Sequence, residues 1–139
     1  MKKLKVGILF GGRSAEHEVS LQSAKNIIAA IDKEKYELIL IGIDRDGRWY
    51  LNEGTNFLAH DDDPRQISLT GKGKSLAMIP GNDSKQIIAM ESRDAMENID
   101  VVFPVLHGPY CEDGTIQGLL LLADMPFVGS GVLGSAVSM

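Results

Sequence analysis

The sequence predicts an α/β fold in which helices cover both faces of a mostly parallel sheet. Short apolar runs rich in β-branched residues alternate with segments of helical periodicity, which is typical of strand-helix-strand units. Glycine-rich turns follow two of these runs, as they do where a buried strand passes into a helix. These observations predict a Rossmann-like, three-layer α/β/α domain to which a hairpin and an irregular insertion are added.

The first half of the chain supplies the clearest elements. Residues 4–10, LKVGILF, predict a buried parallel strand that stops at a pair of glycines. A helix follows, with Ser14 as its N-cap and Asp32 near its end. Its apolar residues recur at helical spacing: Val19, Ala24, Ile27, Ile28 and Ile31. Residues 36–43 predict the second strand, and the Asp46-Gly47 pair after it predicts a two-residue hairpin loop of the primed type.

The second half predicts an insertion and then a return to the sheet. Residues 52–84 are rich in Asn, Asp, Gly, Ser and Pro and have no sustained period, which predicts an irregular insertion over the sheet. Residues 85–90 predict an edge strand and residues 100–106 a central one. A helix is predicted at residues 116–123, and PFVGS, residues 126–130, predicts a final short strand.

Composition limits the classes of function. The 139 residues predict one domain of ordinary hydropathy, because 44% are hydrophobic and the mean hydropathy is -0.01. The net charge of -5 argues against nucleic-acid binding. The apolar start is too short for a signal peptide, and no run is long enough to cross a membrane. A single cysteine, Cys111, forms no internal disulfide, so we expect a cytoplasmic protein.

The first glycine-rich loop, GGRSAEHEVS, lies where a phosphate could meet a helix N-terminus. It matches neither the dinucleotide nor the P-loop fingerprint, and Glu16 and Glu18 fall in the predicted first helical turn. Two interpretations stay open for these acids. They stabilise the positive end of the helix macrodipole, or one of them receives a cation such as the ammonium of an amino acid.

The second loop, HGPYCEDGTIQG, offers similar chemistry at the end of the strand predicted at 100–106. His107 can donate or accept a proton near neutral pH, and Gly108 beside it leaves the backbone exposed. Glu112 and Asp113 precede the next predicted helix, although Asp113 is also explained as an N-cap. A lone loop histidine is more often structural than catalytic. Taken together, the two loops suit a small zwitterion that carries an ammonium and a carboxylate.

Other chemistries have less support in the sequence. Histidines at positions 17, 60 and 107 lack the spacing of metal ligands, so no metal site is predicted within the chain. Cys111 lies near His107, but no further acid-base partner for a thiol nucleophile is evident.

Three motifs in this order, GGRSAEHEVSLQSA, HGPYCEDGTIQG and PFVGSGVLGSAVSM, closely resemble the amino-terminal domain of the D-alanine–D-alanine ligases. These are ATP-grasp enzymes of peptidoglycan synthesis, and the likeness covers essentially the whole chain. The resemblance implies a pre-ATP-grasp domain. It also implies a reaction in which ATP phosphorylates the carboxylate of one D-alanine and the amino group of a second displaces the phosphate, with Mg²⁺ neutralising the phosphates.

The resemblance also implies roles for particular residues. Glu16 holds the ammonium of the first D-alanine and Val19 packs nearby. His107 lies by the same substrate, so Glu16 and His107 are the candidate catalytic residues. Gly108 and Glu112 complete the candidate substrate-binding set, Glu112 as a supporting residue of the pocket. Similar ligases are usually homodimers.

The chain departs from the family in two respects. Cys111 stands where the family usually has glycine before EDG. Residues 1–139 also correspond to the substrate-binding domain alone, since the central and ATP-grasp domains that supply most ATP and Mg²⁺ ligands do not follow Met139. The isolated chain is therefore expected to be inactive. The alternative is a stand-alone α/β module that binds a small amino acid, and the next stretch of the reading frame would discriminate between the two.

Overall fold

A computed structural model describes residues 3–12, 17–52, 58–59, 67–69, 73–78, 87–90, 99–106 and 128. The elements along the chain are β1 (Leu4–Gly11), α1 (His17–Ala30), β2 (Tyr36–Ile43), β3 (Trp49–Asn52), β4 (Leu58–Ala59), β5 (Ser68–Leu69), β6 (Lys74–Met78), β7 (Ile87–Ala89) and β8 (Val101–Leu106). The α/β class is confirmed. The helix predicted at 116–123 lies outside the described residues.

Six of the described strands form one sheet in the order β7-β6-β3-β2-β1-β8. β1 pairs in parallel with both β2 and β8, so the predicted parallel sheet is confirmed for this half. The pairs β2-β3, β3-β6 and β6-β7 are antiparallel. The prediction of a mostly parallel sheet is therefore wrong for the other half, where β2, β3, β6 and β7 alternate in direction.

Apolar side chains are buried on both faces of the sheet, as in a layered α/β protein. On one face Val6, Ile8 and Phe10 of β1 pack with Leu21 and Ala24 of α1 in one cluster. On the other face a second cluster is formed by Leu9, Ile41, Ile43, Leu76, Ile87 and Val102. Successive residues of β1 thus enter opposite clusters, which explains why the strand reads as a continuous apolar run rather than an alternating one.

Helix α1 confirms the predicted β1-loop-helix unit, but its inner face differs from the prediction. The buried residues are His17, Ser20, Leu21 and Ala24. Ile27 and Ile28 are partly buried against the same cluster, whereas Val19 is 51% exposed. Val19 therefore does not belong to the apolar stripe, because the spacing of three and four residues from Ala24 selects positions 17, 20 and 21 instead. Ser14, the predicted N-cap, lies outside the described residues.

The predicted hairpin joins β2 to β3, but its loop is longer than predicted. The Asp44 amide donates to the Arg48 carbonyl at 2.9 Å, so these two residues close a three-residue loop. Gly47 ends the loop with φ of 87°. The Asp44 carboxylate accepts hydrogen bonds from the amides of Asp46 and Arg48, each at 2.9 Å. The two-residue loop is wrong because this carboxylate stabilises a wider turn than the Asp46-Gly47 pair alone predicts.

Regular structure interrupts the segment that was predicted to be irregular. β4 and β5 pair as a small antiparallel sheet, and β6 joins the main sheet beside β3. The prediction of an irregular insertion over residues 52–84 is therefore wrong for these strands. β7 is the last described strand on that side, which agrees with the edge strand predicted at 85–90.

β8 is the last strand of the described sheet on the β1 side, whereas residues 100–106 were predicted to form a central strand. It pairs with β1 on one side, and the amide of Val128 donates to the Val102 carbonyl at 2.8 Å on the other. Val128 is the described residue of the strand predicted at 126–130, and the rest of that segment lies outside the described residues. In the described part of the chain, no helix is long and apolar enough to cross a membrane.

Candidate functional site

The three parallel strands end level with one another at one edge of the sheet. Gly11, the last residue of β1, is in register with Ile43, the last residue of β2. It is also in register with Leu106, the last residue of β8. Ligands of open α/β sheets bind at the carboxyl ends of the strands. This edge, defined by Gly11, Ile43 and Leu106, is therefore the candidate site, and both predicted loops leave from it.

The glycine pair after β1 has a backbone conformation that favours glycine. Gly11 has φ of 93° and Gly12 has φ of 100°. The Gly12 amide donates to the Ile43 carbonyl at 2.8 Å, which holds the turn against the end of β2. A Cβ at Gly11 would overlap the same Ile43 carbonyl oxygen. The two glycines thus let the chain turn sharply while it stays within hydrogen-bonding distance of the neighbouring strand.

Ser20 ties the first turns of α1 to the ends of two strands. Its side chain is fully buried. The Oγ atom accepts a hydrogen bond from the Gly11 amide at 2.8 Å and donates its proton to the Val105 carbonyl. A hydroxyl carries one proton and two lone pairs, so both contacts are made at once. One side chain thereby joins α1, the end of β1 and the end of β8.

His17, the first residue of α1, is 5% exposed. Its Nδ1 atom lies 2.7 Å from the Gly12 carbonyl oxygen. Because a carbonyl only accepts, Nδ1 carries the proton, and in the neutral ring Nε2 is left as an acceptor. Burial lowers the pKa of His17 below its usual 6.5, and the Arg45 guanidinium lowers this pKa further. The hydrogen bond to Gly12 and the Asp44 carboxylate raise the pKa but do not offset the burial, so the ring is neutral at pH 7.

An ion pair joins the outer side of α1 to the hairpin. The Glu18 carboxylate contacts the Arg45 guanidinium, with the two side chains 32% and 55% exposed. A partly exposed pair of this kind contributes under about 1 kcal/mol. Glu18 was one of two first-turn acids in the predicted helix, and the structure gives it a partner in the protein.

The predicted site residues divide between the described and the undescribed parts of the chain. Val19 lies on α1 with an exposed side chain. Glu16, His107, Gly108 and Glu112 lie outside the described residues. Their neighbours are described: Glu16 immediately precedes His17, and His107 immediately follows Leu106. These neighbours lie at the candidate edge.

Sequence reasoning missed His17 and Ser20. The histidine was considered only as a metal ligand, and the serine was read as part of a motif without a role of its own. A signal was available, because positions 17, 20, 21 and 24 follow one helical face. When the first residues of a buried helical face are polar and follow a glycine turn, they indicate side chains that bind backbone groups rather than side chains that pack in the apolar core.

The described residues do not bring metal ligands together. Within this part of the chain, no group of three or more His, Cys, Asp or Glu side chains could hold a metal ion. What the edge provides is a frame of hydrogen bonds to backbone, which lies directly before residues 13–16 and directly before residue 107 in the chain. Such a frame is suited to hold loop side chains around a small ligand.

Comparison with known proteins agrees with this geometry. The family described as "D-ala D-ala ligase N-terminus" matches residues 5–130. The D-alanine--D-alanine ligase of Shouchella clausii is 53% identical over 139 residues, which is all of this chain and 38% of that protein. The chain therefore spans less than half the length of this relative.

Solved structures show the same fold. The D-alanine-D-alanine ligase from Coxiella burnetii matches with a TM-score of 0.79 and 37% identity, over 100% of this chain and 38% of that one. The VanG D-Ala:D-Ser ligase from Enterococcus faecalis matches with a TM-score of 0.79 and 34% identity, over 99% and 39% of the two chains. The chain belongs to the D-alanine–D-alanine ligase family and corresponds to its amino-terminal domain.

Proposed function

We propose that this chain is the amino-acid-binding domain of a ligase that joins two D-alanines at the expense of ATP, for peptidoglycan synthesis. The observation that carries the proposal is the level ending of β1 and β8, whose last residues Gly11 and Leu106 are paired in register. The chain enters both family motifs directly from this pair. Membership of the family supports the reaction. The register supports one site for both motifs, because it brings the starts of the two motifs to the same edge of the sheet.

Chain connectivity limits how far the candidate residues lie from that edge. Consecutive Cα atoms are about 3.8 Å apart. Position 16 is one residue from His17, whose ring contacts Gly12, and position 107 is one residue from Leu106. The proposal therefore assigns Glu16 and His107 to one pocket at the ends of two adjacent strands.

Each residue then has a chemical task. The Glu16 carboxylate receives the ammonium of the first D-alanine through a charge-assisted hydrogen bond. Val19, whose side chain is exposed on α1, contacts the same substrate. His107 lies by the substrate, where its imidazole can donate or accept a hydrogen bond, and Gly108 leaves backbone accessible beside it. Glu112 supports this pocket.

ATP and Mg²⁺ are assigned to the parts of the ligase beyond this chain. The described residues do not fit either group, because they form no cluster of metal ligands and α1 has Glu18 in its first turn. A carboxylate there repels a nucleotide phosphate. The contribution of this chain is to bind and orient the amino acid whose carboxylate is activated.

The setting of the enzyme completes the proposal. A cytoplasmic, homodimeric ligase with no nucleic-acid or membrane partner fits the net charge of -5 and the single cysteine. The second substrate is assigned as D-alanine, as in the relatives named for that activity. Sedimentation of the intact ligase would establish the dimer.

The test is the substitution Glu16→Gln in the intact ligase that carries this domain. Glutamine keeps the shape and removes the charge, and a hydrogen bond to a charged group contributes about 1.5 to 3 kcal/mol. D-alanine-dependent turnover should fall roughly ten- to several-hundred-fold, since each 1.36 kcal/mol is a factor of ten. The KM for ATP should stay within about twofold.

Glu18→Gln is the matched control. Glu18 is two residues away on the same motif and is paired with Arg45, so its loss should change turnover only slightly. Steady-state kinetics of both variants, with thermal melts to exclude unfolding, complete the test. Equal, small effects from the two substitutions would mean that Glu16 is only another first-turn acid, and the site assignment would be withdrawn.

A further inference from the structure

We propose that His17 and Ser20 are positioning residues that hold the glycine turn after β1, the start of α1 and the end of β8 in one arrangement, and thereby position the D-alanine site assigned to this edge. The inference rests on the proposed function, and it adds two residues that contact only the protein.

The hydrogen bond from His17 Nδ1 to the Gly12 carbonyl joins the start of α1 to the glycine turn, and these two atoms are 2.7 Å apart. Gly12 is itself held by its amide, which donates to the Ile43 carbonyl at 2.8 Å. The start of α1 is therefore held by one side chain against a turn that is anchored to β2.

Ser20 fixes the same unit from the helix side. Its hydroxyl contacts Gly11 at the end of β1 and Val105 near the end of β8. The β8 contact matters because the second motif starts two residues later, at His107. Ser20 thus holds the start of α1 and the ends of both strands in one arrangement.

The polar character of this pair argues for positioning rather than for packing alone. Leu21 and Ala24, the next buried residues on the same face of α1, are apolar and pack against the sheet. Only the end of the face nearest the loops carries hydrogen-bonding side chains, and hydrogen bonds fix distance and direction where apolar contacts do not. Two buried polar residues therefore stand where the backbone must be placed accurately.

The neutral state of His17 has a further consequence for the ligand. Arg45 and Asp44 of the hairpin are the charged groups that act on the ring, and Arg45 is itself paired with Glu18 of α1. An imidazolium at this edge would repel the ammonium of the amino acid that the proposed function assigns to it. Burial lowers the pKa of His17 and so keeps the ring uncharged at pH 7.

The kinetic test uses the intact ligase and three substitutions. His17→Leu removes the donor, and Ser20→Ala removes both contacts of the hydroxyl. Each should raise the KM for the first D-alanine roughly tenfold while the KM for ATP stays within about twofold. His17→Asn retains an N–H close to the position of Nδ1 and should restore most of the affinity. The D-alanine KM of the wild-type ligase should rise as His17 becomes protonated at acid pH, and His17→Asn should remove this rise.

Ala24→Gly is the matched control for stability. Ala24 is buried on the same face of α1 but makes no described contact with the glycine turn, so its loss should lower the melting temperature without raising the D-alanine KM. A KM increase that follows the melting temperature across all four variants would overturn the inference. So would equal changes in the KM values for D-alanine and ATP.

A spectroscopic measurement on the chain itself checks the geometry without turnover. The ¹⁵N shifts of the His17 ring should show the Nδ1–H tautomer at pH 7 and a midpoint below 6.5 on titration. The Nε2–H tautomer, or an ordinary midpoint, would overturn the inference even in an active ligase. If the wild-type ligase shows no D-alanine-dependent ADP formation, the proposed function fails and the inference fails with it, whatever the tautomer.

Discussion

Replacing Gly11 with alanine tests whether the turn after β1 is held as the hydrogen bonds indicate. Gly11 has φ of 93°, where a residue with a Cβ is strained by about 1 kcal/mol or more. Its Cβ would also overlap the Ile43 carbonyl oxygen, which accepts the Gly12 amide. The overlap is with backbone, so the turn itself must move away from β2.

The magnitude follows from the contacts that such a movement breaks. The Gly11 amide would lose its hydrogen bond to Ser20, and the Gly12 amide its bond to Ile43. Each contributes about 0.5 to 1.5 kcal/mol net. Added to the backbone strain, the free energy of unfolding should fall by about 2 to 4 kcal/mol, a large part of the 5 to 15 typical of a domain.

The assay is urea unfolding of the 139-residue chain, with Gly47→Ala as the matched control. Gly47 has φ of 87°, so it carries the same backbone strain and the same change in unfolded-chain entropy. It lies in the hairpin loop, between the exposed residues Asp46 and Arg48. The control should lose about 1 kcal/mol. Equal losses for both variants at unchanged m-values would refute the account of the turn, because the overlap with β2 would then have no energetic consequence.

Two further predictions concern charge at the same edge. Isothermal titration calorimetry of the chain with millimolar MgATP should give no measurable binding, because α1 has the acid Glu18 in its first turn and the sequence has no P-loop. A low-micromolar Kd would contradict this prediction. The neutral form of His17 stabilises the fold above pH 6.5, and this contribution is lost as the pH falls towards the lowered pKa of the folded state. The urea midpoint should therefore fall more between pH 7.5 and about 5 for the wild type than for His17→Asn, and parallel decreases would argue against burial of the ring.

Local pattern was sufficient for the elements that meet at the candidate edge. The second strand was predicted at 36–43 and observed at those residues, and the first was predicted at 4–10 and extends to Gly11. Each is an apolar run bounded by glycine or aspartate, so its ends are set by neighbours in the sequence. The paired loops followed from the same reasoning, because parallel strands end at one edge.

Long-range pairing accounts for what the sequence did not predict. β6, Lys74–Met78, has a mixed composition and becomes a strand because Leu76 pairs with Trp49 across a separation that no local pattern records. The hairpin loop failed for a smaller reason, since the Asp44 carboxylate selects the wider turn. The sequence pattern records hydrophobicity and turn residues. It does not record which backbone amides a particular side chain will bind in the folded chain.

The same limit explains why the motif GGRSAEHEVS was understood only in part. Ligand binding was predicted for the charged residues of the motif, because charged side chains bind ligands. His17 and Ser20 are buried instead and contact backbone. Their neighbours Glu18 and Val19 are the ones that reach the surface, since a helix places successive residues about 100° apart. The helical period thus gives one short segment two functions. Its inward residues hold the glycine turn and the ends of β1 and β8 to α1, and its outward residues reach the surface, where Glu18 pairs with Arg45 and Val19 is exposed.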